Sequence, residues 1–231
     1  MRAWLNGRRR VLLIIAVLAA LLYFAWNELT RVRGSQIVDF IPAKAECGAF
    51  NNFRYCVYTA VGGTNGDVVY HLHGRNLDET IWNDNTYYTA MVQAEWQRRP
   101  IRPPKVVTVS YGGTWLLAPK GGKEASGLLE DFMAKLGKLE ARIGEPKRRL
   151  LLGESMGGLN ALVAGFSDHA KFAKIAALCP GVYVDSPFAP LAGQFAGMKR
   201  TGADPKTVAG VAMLARRYVA DDDEWSRVSP L

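Results

Sequence analysis

The sequence predicts an α/β fold in which a mostly parallel sheet is flanked by helices. Short apolar or β-branched runs alternate with stretches of helical periodicity over residues 53–218. Within them, residues 148–165 pass from an apolar run through a glycine-rich turn into a stretch rich in Ala, Leu and Val. Because strands separated by helices pair in parallel through right-handed crossovers, we expect a single sheet.

The composition indicates one globular domain and argues against nucleic-acid binding. The chain has 231 residues, of which 49% are hydrophobic, enough for one α/β domain with a sizeable core. Of the net charge of +8, residues 1–33 carry +5 (six Arg and one Glu), which leaves +3 on the other 198 residues. No RNP, zinc-finger or basic-helix pattern is present, so we expect no nucleic-acid partner.

Residues 1–33 have the features of a signal anchor with a basic flank. Four arginines precede residues 11–26, sixteen residues without a charge. This length lies between that of a signal-peptide core and that of a full membrane span. We favour an uncleaved anchor with the arginines in the cytoplasm and residues 34–231 outside it, periplasmic or extracellular. A cleaved signal peptide is the alternative.

The cysteines fit an exported protein. Cys47 and Cys56 lie in the stretch ECGAFNNFRYC, and in an exported chain a disulfide that closes this small loop is expected. Two unpaired thiols are the alternative, and Cys179 remains single in either case. There is no C-x-x-C pair and no His/Cys cluster, so we expect neither a metal site nor a cofactor.

The predicted elements follow one another in a regular order. Strands are predicted over residues 53–61, 68–72, 105–110, 150–152 and 174–178. A hairpin turn is predicted over residues 62–66. Helices are predicted in the second half of 78–96, over 128–143, directly after residue 155, and from Asp204-Pro205 to Tyr218.

Residues 153–157, GESMG, form the G-x-S-x-G pattern between a predicted strand and a predicted helix. This pattern places Ser155 at the tip of a sharp turn, with its hydroxyl clear of the chain. Gly153 and Gly157 leave room where a Cβ would collide. The helix that begins behind the serine directs its free N–H groups at a developing oxyanion. We predict that Ser155 is a catalytic nucleophile; a glycine-rich turn with an incidental serine is the alternative.

The end of the strand at residues 68–72 supplies a second part of the site. An acyl-transfer site needs another backbone donor across from the nucleophile, and hydrolases with this turn take it from a loop that is often of HG type. We therefore predict an oxyanion hole formed by the N–H of Met156 and an N–H from Gly74 or Arg75. His71 and His73 are expected to be structural histidines.

Four stretches of the sequence together resemble one family, the putative-esterase branch of the α/β-hydrolase superfamily, which includes esterase D-like and feruloyl-esterase-like enzymes. The stretches are HLHGRN, SYGG, LLLGESMGGLNAL and FAKIAALCPGVY, and the likeness covers residues 50–231. The resemblance implies an α/β-hydrolase sheet and hydrolysis of a small-molecule carboxylester through an acyl-serine intermediate. It implies Ser155 as nucleophile, with Met156 and Arg75 as oxyanion donors.

The catalytic base of that family has no counterpart here. The order in this fold is Ser, then Asp or Glu, then His, and the one histidine after Ser155 is His169. We expect His169 at the far end of the helix that follows Ser155, about 18 Å away for a dozen residues. The later acids are expected to be loop or helix-cap residues: Asp185, Asp204 and Asp221 to Asp223.

The sequence therefore predicts a C-terminally incomplete hydrolase domain with weak or no turnover, whose last strand, at residues 174–178, is left as a sheet edge. Three explanations stay open. The chain is a truncated product of a longer hydrolase, a partner chain supplies the missing strands and base, or the protein is a non-catalytic, membrane-tethered binding or scaffold protein. The sequence indicates no oligomeric state.

Overall fold

The structure is a computed structural model that divides into two compact units, Met1–Ser35 and Gln36–Leu231. It describes residues 13–26, 37–121, 123, 125–182, 185–202 and 204–230.

In the first unit, the described residues 13–26 form an exposed helix, α1. No helix among the described parts of the chain is long and apolar enough to cross a membrane. The arginines of the predicted flank, at positions 2 and 8–10, lie outside the described residues.

The second unit contains a six-stranded sheet with the spatial order β1-β2-β4-β3-β5-β6. Its strands are β1 Lys44–Phe50, β2 Phe53–Thr59, β3 Val68–Leu72, β4 Lys105–Ser110, β5 Arg149–Glu154 and β6 Lys174–Leu178. The first two pairings, β1 with β2 and β2 with β4, are antiparallel, and the remaining three are parallel. The predicted mostly parallel sheet is confirmed.

Helices connect and cover these strands. The described helices are a 3₁₀ turn Ile81–Asn83, α2 Tyr88–Arg98, α3 Leu128–Ile143, α4 Met156–Ser167, α5 Leu191–Thr201, α6 Pro205–Ala215 and α7 Asp222–Val228. The helix predicted over residues 128–143 is confirmed, and its Leu129, Phe132, Leu136 and Leu139 are all buried in the core.

The prediction of a hairpin between β2 and β3 is wrong. Residues 62–66 do turn, with positive φ at Gly62, Gly63 and Gly66, but β4 lies between the two strands. The physical reason is burial. All five residues of β3 are buried, and a strand that is buried throughout takes a central place between parallel neighbours.

β1 is an antiparallel edge strand that the sequence did not predict. It is largely exposed, so it lacks the apolar alternation that marks a half-buried strand. Its register places Cys47 opposite Cys56 of β2, and the structure joins the two in a disulfide with their Cα atoms 4.0 Å apart. The bond ties the sheet edge to β2.

Candidate active site

Ser155 lies at the turn between β5 and α4 and is exposed. Its backbone has φ 53° and ψ −115°, a conformation that residues with a side chain rarely adopt. A Cβ on Gly153 would come within 2.2 Å of the Gly157 carbonyl oxygen, and a Cβ on Gly157 within 1.8 Å of the Leu72 oxygen. The turn thus has the predicted geometry, and it requires both glycines.

The strained conformation of Ser155 is held by its neighbours. Its N–H donates to the Leu178 oxygen at 2.9 Å, and its own carbonyl accepts from Gly181 at 2.9 Å and from Leu159 at 3.1 Å. Strain of this kind persists only where the surroundings determine the backbone from several sides. The β6 end and the following loop therefore present the Ser155 hydroxyl in a defined position.

Met156 is the first residue of α4, and its N–H donates to no acceptor among the described residues. Unpaired N–H groups in the first turn of a helix carry its positive dipole end. The N–H of Met156 therefore suits the predicted role of oxyanion donor.

The other predicted donors, Gly74 and Arg75, differ in what their amides do. The Gly74 N–H already donates to Glu154 Oε1 at 2.6 Å, so this amide is committed within the protein. The Gly74 carbonyl oxygen accepts from the Leu77 N–H at 3.4 Å. Because a peptide unit is planar and trans, the Arg75 N–H points away from that oxygen. It donates to no acceptor in the part of the chain that the structure describes, so the Arg75 N–H, unlike that of Gly74, suits the predicted role of second oxyanion donor.

The sheet brings the two donor loops together. β3 and β5 are parallel neighbours in a register that places Leu72 opposite Gly153. The carboxyl ends of these strands therefore meet at one edge of the sheet, where the Leu72 oxygen lies directly against Gly157 of α4. The amides of Arg75 and Met156 follow these strand ends at the same edge of the sheet.

Glu154 is a buried carboxylate directly before the nucleophile. It accepts hydrogen bonds from His71 Nε2 at 2.8 Å, the Tyr88 hydroxyl at 3.0 Å, the Tyr87 hydroxyl at 3.1 Å and the Gly74 N–H. Burial opposes its ionisation, but the bonds from His71, Gly74 and Tyr88 hold the pKa of Glu154 below its ordinary value. It is therefore a carboxylate at neutral pH.

His71 and His73 have structural partners, as the sequence predicts. His71 uses both ring nitrogens, with Nε2 on Glu154 and Nδ1 3.1 Å from Thr108 Oγ1. His73 Nδ1 lies 2.7 Å from the Gly74 carbonyl oxygen, and since a carbonyl only accepts, the His73 ring must donate from Nδ1. Burial lowers the pKa of His73, so the ring is neutral at neutral pH.

His169 is exposed in the turn after α4, whereas Ser155 precedes that helix. The twelve residues of α4 span about 18 Å, so His169 lies at the other end of the helix, as expected. All three histidines of the chain lie in the described residues, and none of them hydrogen-bonds the Ser155 hydroxyl.

Of the later acids, Asp222 and Asp223 differ from the expectation, because they form the first turn of α7 rather than a loop or cap. Asp221 caps the start of α7 by accepting the Glu224 N–H at 2.8 Å, and Asp185 lies 3.6 Å from Arg200. Among the described residues there is no cluster of side chains that could hold a metal ion.

A narrow cavity of 20 Å³ lies beside the turn. Its lining includes His73, Tyr111, Met156 and Asn160. Asn160 fixes this wall, because its side-chain amide bonds both the Trp115 oxygen and the Leu117 N–H. That volume holds about one water molecule and is too small for an acyl group.

Some residues of the site are not marked in the sequence. Tyr87 and Tyr88 reach Glu154 from 67 and 66 positions away in the chain, through the start of α2. The stretch over residues 78–96 predicted a helix but gave no sign that these hydroxyls meet a carboxylate.

The sheet order, the strained serine turn and the unpaired helix amides together define a protein of the α/β-hydrolase-like class. Residues 55–229 match the putative esterase family, and the chain belongs to that family. No curated protein sequence matches the chain.

Solved structures share the fold at low sequence identity. An S-formylglutathione hydrolase from Agrobacterium tumefaciens has a TM-score of 0.53 and 17% identity, with 80% of this chain and 68% of that chain covered. Brefeldin A esterase, a bacterial homologue of human hormone-sensitive lipase, has a TM-score of 0.54 and 15% identity, with 86% and 56% covered. The iron-lacking apo form of ESTFA has a TM-score of 0.51 and 16% identity, with 89% and 64% covered. The chain thus spans 56–68% of the length of these proteins.

Proposed function

We propose that this chain is the nucleophile-bearing domain of a carboxylester hydrolase that acts on a small-molecule ester. The observation that carries the proposal is Ser155, exposed at φ 53° in front of the N-terminus of α4. Membership of the putative esterase family supports it. So do the names of two proteins with the same fold, an S-formylglutathione hydrolase and brefeldin A esterase.

The geometry suits acyl transfer to serine. Ser155 Oγ attacks the ester carbonyl carbon, and the carbonyl π electrons move to the oxygen, which accepts hydrogen bonds from the N–H groups of Met156 and Arg75. Collapse of this intermediate breaks the bond to the alcohol oxygen. The alcohol leaves with the proton that Oγ lost, and Ser155 is acylated. Water then releases the acid and restores the hydroxyl.

The proton on Oγ has no histidine acceptor in the described residues, which limits the expected rate. In a comparable triad, loss of the base lowers turnover by several powers of ten and leaves the contribution of the oxyanion hole and substrate binding. We therefore expect slow turnover from these 231 residues. The same observation favours a second candidate function, a non-catalytic, membrane-tethered binding or scaffold protein.

A fluorophosphonate probe separates the two functions. We expect covalent labelling of the wild-type protein at Ser155, located by mass spectrometry of the modified peptide, and no labelling of Ser155→Ala. Ser167→Ala is the matched control, because Ser167 lies at the other end of α4 and its hydroxyl donates to the Ala164 oxygen. A folded wild-type protein that remains unlabelled would favour the binding function.

We also propose that residues 1–33 anchor the domain to a membrane and place it outside the cytoplasm. The proposal is supported by the four arginines before the uncharged run at residues 11–26. It is also supported by the Cys47–Cys56 disulfide, a bond that persists mainly in oxidising compartments.

Thiol blocking in intact cells tests this placement. We expect Cys47 and Cys56 to resist a membrane-permeant maleimide until a reductant is added, because an exported domain keeps the bond. Cys179 is the internal control, since it is free and exposed and should react at once. Reaction of Cys47 and Cys56 without reductant, read by peptide mass spectrometry, contradicts an extracytoplasmic domain.

A further inference from the structure

The loop that carries the second oxyanion donor is held at the two peptide units on either side of the Gly74 Cα atom. Gly74 donates its N–H to Glu154 Oε1 at 2.6 Å, and its carbonyl oxygen accepts from Leu77 and from the His73 ring. Asn76, which follows Arg75, has φ 64°, so the chain turns sharply directly after the Arg75 donor. The Gly74 N–H belongs to the His73–Gly74 peptide unit and the Arg75 N–H to the next unit. The direction of the Arg75 N–H therefore depends on how the Gly74 backbone is held on both sides.

Glu154 holds the His73–Gly74 peptide unit through one of its two oxygens. Oε1 accepts from Gly74 and from the Tyr87 hydroxyl, whereas Oε2 accepts from His71 and from the Tyr88 hydroxyl. The Oε2 partners fix the carboxylate within the fold, and Oε1 is left to bind the loop. Tyr87 and Tyr88, which each bond one of the two carboxylate oxygens, can therefore be substituted as a matched pair.

The link is short and shielded from water. Glu154 is 7% exposed and is the last residue of β5, directly before Ser155. A Cβ on Gly74 would lie 3.6 Å from Glu154 Cγ, so the loop backbone packs against this side chain. If the carboxylate were removed, the Gly74 N–H would be left buried without an acceptor, and the peptide would have to rotate to find one.

We infer that Glu154 is a positioning residue. Its Oε1 fixes the His73–Gly74 peptide unit, and this sets where the following unit begins, so that the Arg75 N–H faces the oxyanion formed at Ser155. It connects the nucleophile turn to the donor loop without touching the substrate. The inference rests on the proposed function of Ser155 as nucleophile.

The first test is the second-order rate constant for labelling of Ser155 by the fluorophosphonate. Removal of one oxyanion donor costs about 10²–10³-fold in comparable enzymes, so we expect a loss of about 10²-fold in Glu154→Ala. Glu154→Gln keeps an oxygen acceptor but loses the charge, and we expect its labelling rate to lie about tenfold below wild type. Tyr87→Phe, on the Oε1 side, should slow labelling more than Tyr88→Phe.

The second test reads the loop without any reaction. In a ¹⁵N-labelled protein, the Gly74 amide proton should lie far downfield because it donates to a buried carboxylate. We expect it to move upfield in Glu154→Gln, together with the Arg75 amide, and to stay in place in Ser155→Ala. Circular dichroism checks that each variant is folded, and if Glu154→Ala does not fold, Glu154→Gln and the tyrosine pair carry the test.

The outcomes separate this inference from the proposed function. If the wild-type protein is not labelled, the proposed function fails, and the Gly74 and Arg75 resonances still decide whether Glu154 orients the loop. If the wild-type protein is labelled and folded Glu154→Gln reacts equally fast with both amide resonances unmoved, the positioning role is overturned.

Discussion

Gly157→Ala is expected to lower the free energy of unfolding by about 3 kcal/mol, because the added methyl group has no space. Its Cβ would lie 1.8 Å from the Leu72 oxygen and 2.7 Å from the His73 oxygen. Both atoms belong to the backbone at the end of β3, which is buried along its whole length and pairs on both sides, so neither can move aside cheaply. Urea denaturation followed by circular dichroism measures the change.

Gly137→Ala is the matched control for this prediction. Gly137 lies inside α3, and a Cβ there would meet no atom within 4 Å. We expect this variant to gain up to about 1 kcal/mol from the better helix propensity of alanine. A Gly157→Ala protein as stable as wild type would show that α4 and the end of β3 are not packed as closely as described.

Glu140→Ala is expected to have an effect of similar size, about 3 kcal/mol, because it breaks a largely buried ion pair. Glu140 accepts from the Tyr70 hydroxyl at 2.5 Å and from Arg149 Nε and a second guanidinium nitrogen at 2.7 Å each. Without the carboxylate, a buried hydroxyl and a guanidinium lose their acceptor. Arg149 keeps 22% side-chain exposure, which places the effect at the lower end of the range for buried pairs.

The same pair predicts a pH dependence with a defined sign. Burial raises the pKa of Glu140, but the bonds from Arg149 and Tyr70 outweigh it, so its pKa lies below the ordinary value. A depressed carboxyl pKa in the folded state stabilises the protein above the pKa of the unfolded chain, about 4.3. That contribution is lost as the pH falls through the folded value.

We therefore expect the urea midpoint of the wild-type protein to fall more steeply below pH ~4.3 than that of Glu140→Gln. Glu145→Gln is the control, because Glu145 also approaches Arg149, at 3.7 Å, but is 84% exposed. Its curve should follow the wild type. Equal slopes for wild type and Glu140→Gln would mean that this pair does not stabilise the fold.

Local sequence patterns were sufficient to predict the strands β3, β4 and β6 and the turn at Ser155. The predicted bounds of β3, β4 and β6 coincide with the observed ones, residues 68–72, 105–110 and 174–178. β3 and β4 are buried apolar runs, and such runs carry a strong local signal. The turn at Ser155 could be predicted because its geometry requires glycine at fixed positions on either side.

The arrangement of the strands could not be predicted in the same way. β1 is exposed and has no apolar alternation, and the position of β4 between β2 and β3 follows from burial across the whole sheet. A turn rich in glycine shows that the chain reverses locally. It does not show which strands pair afterwards.

The features of the site that the sequence did not reveal are contacts between residues that lie far apart in the chain. The role of Glu154 in holding the His73–Gly74 peptide unit depends on a neighbour 80 positions earlier. Between the predicted donors Gly74 and Arg75, the family resemblance indicated Arg75, but the residues themselves offered no physical basis for the choice. The bond from the Gly74 N–H to Glu154 supplies that basis.

A crystal structure of the fluorophosphonate adduct tests the central claim most directly, because the phosphonyl oxygen takes the place of the oxyanion. We predict phosphorus bonded to Ser155 Oγ, with that oxygen about 2.7–3.1 Å from the amide nitrogens of Met156 and Arg75. An adduct on another residue, or one at Ser155 whose phosphonyl oxygen receives neither amide, would contradict the proposed hydrolase site.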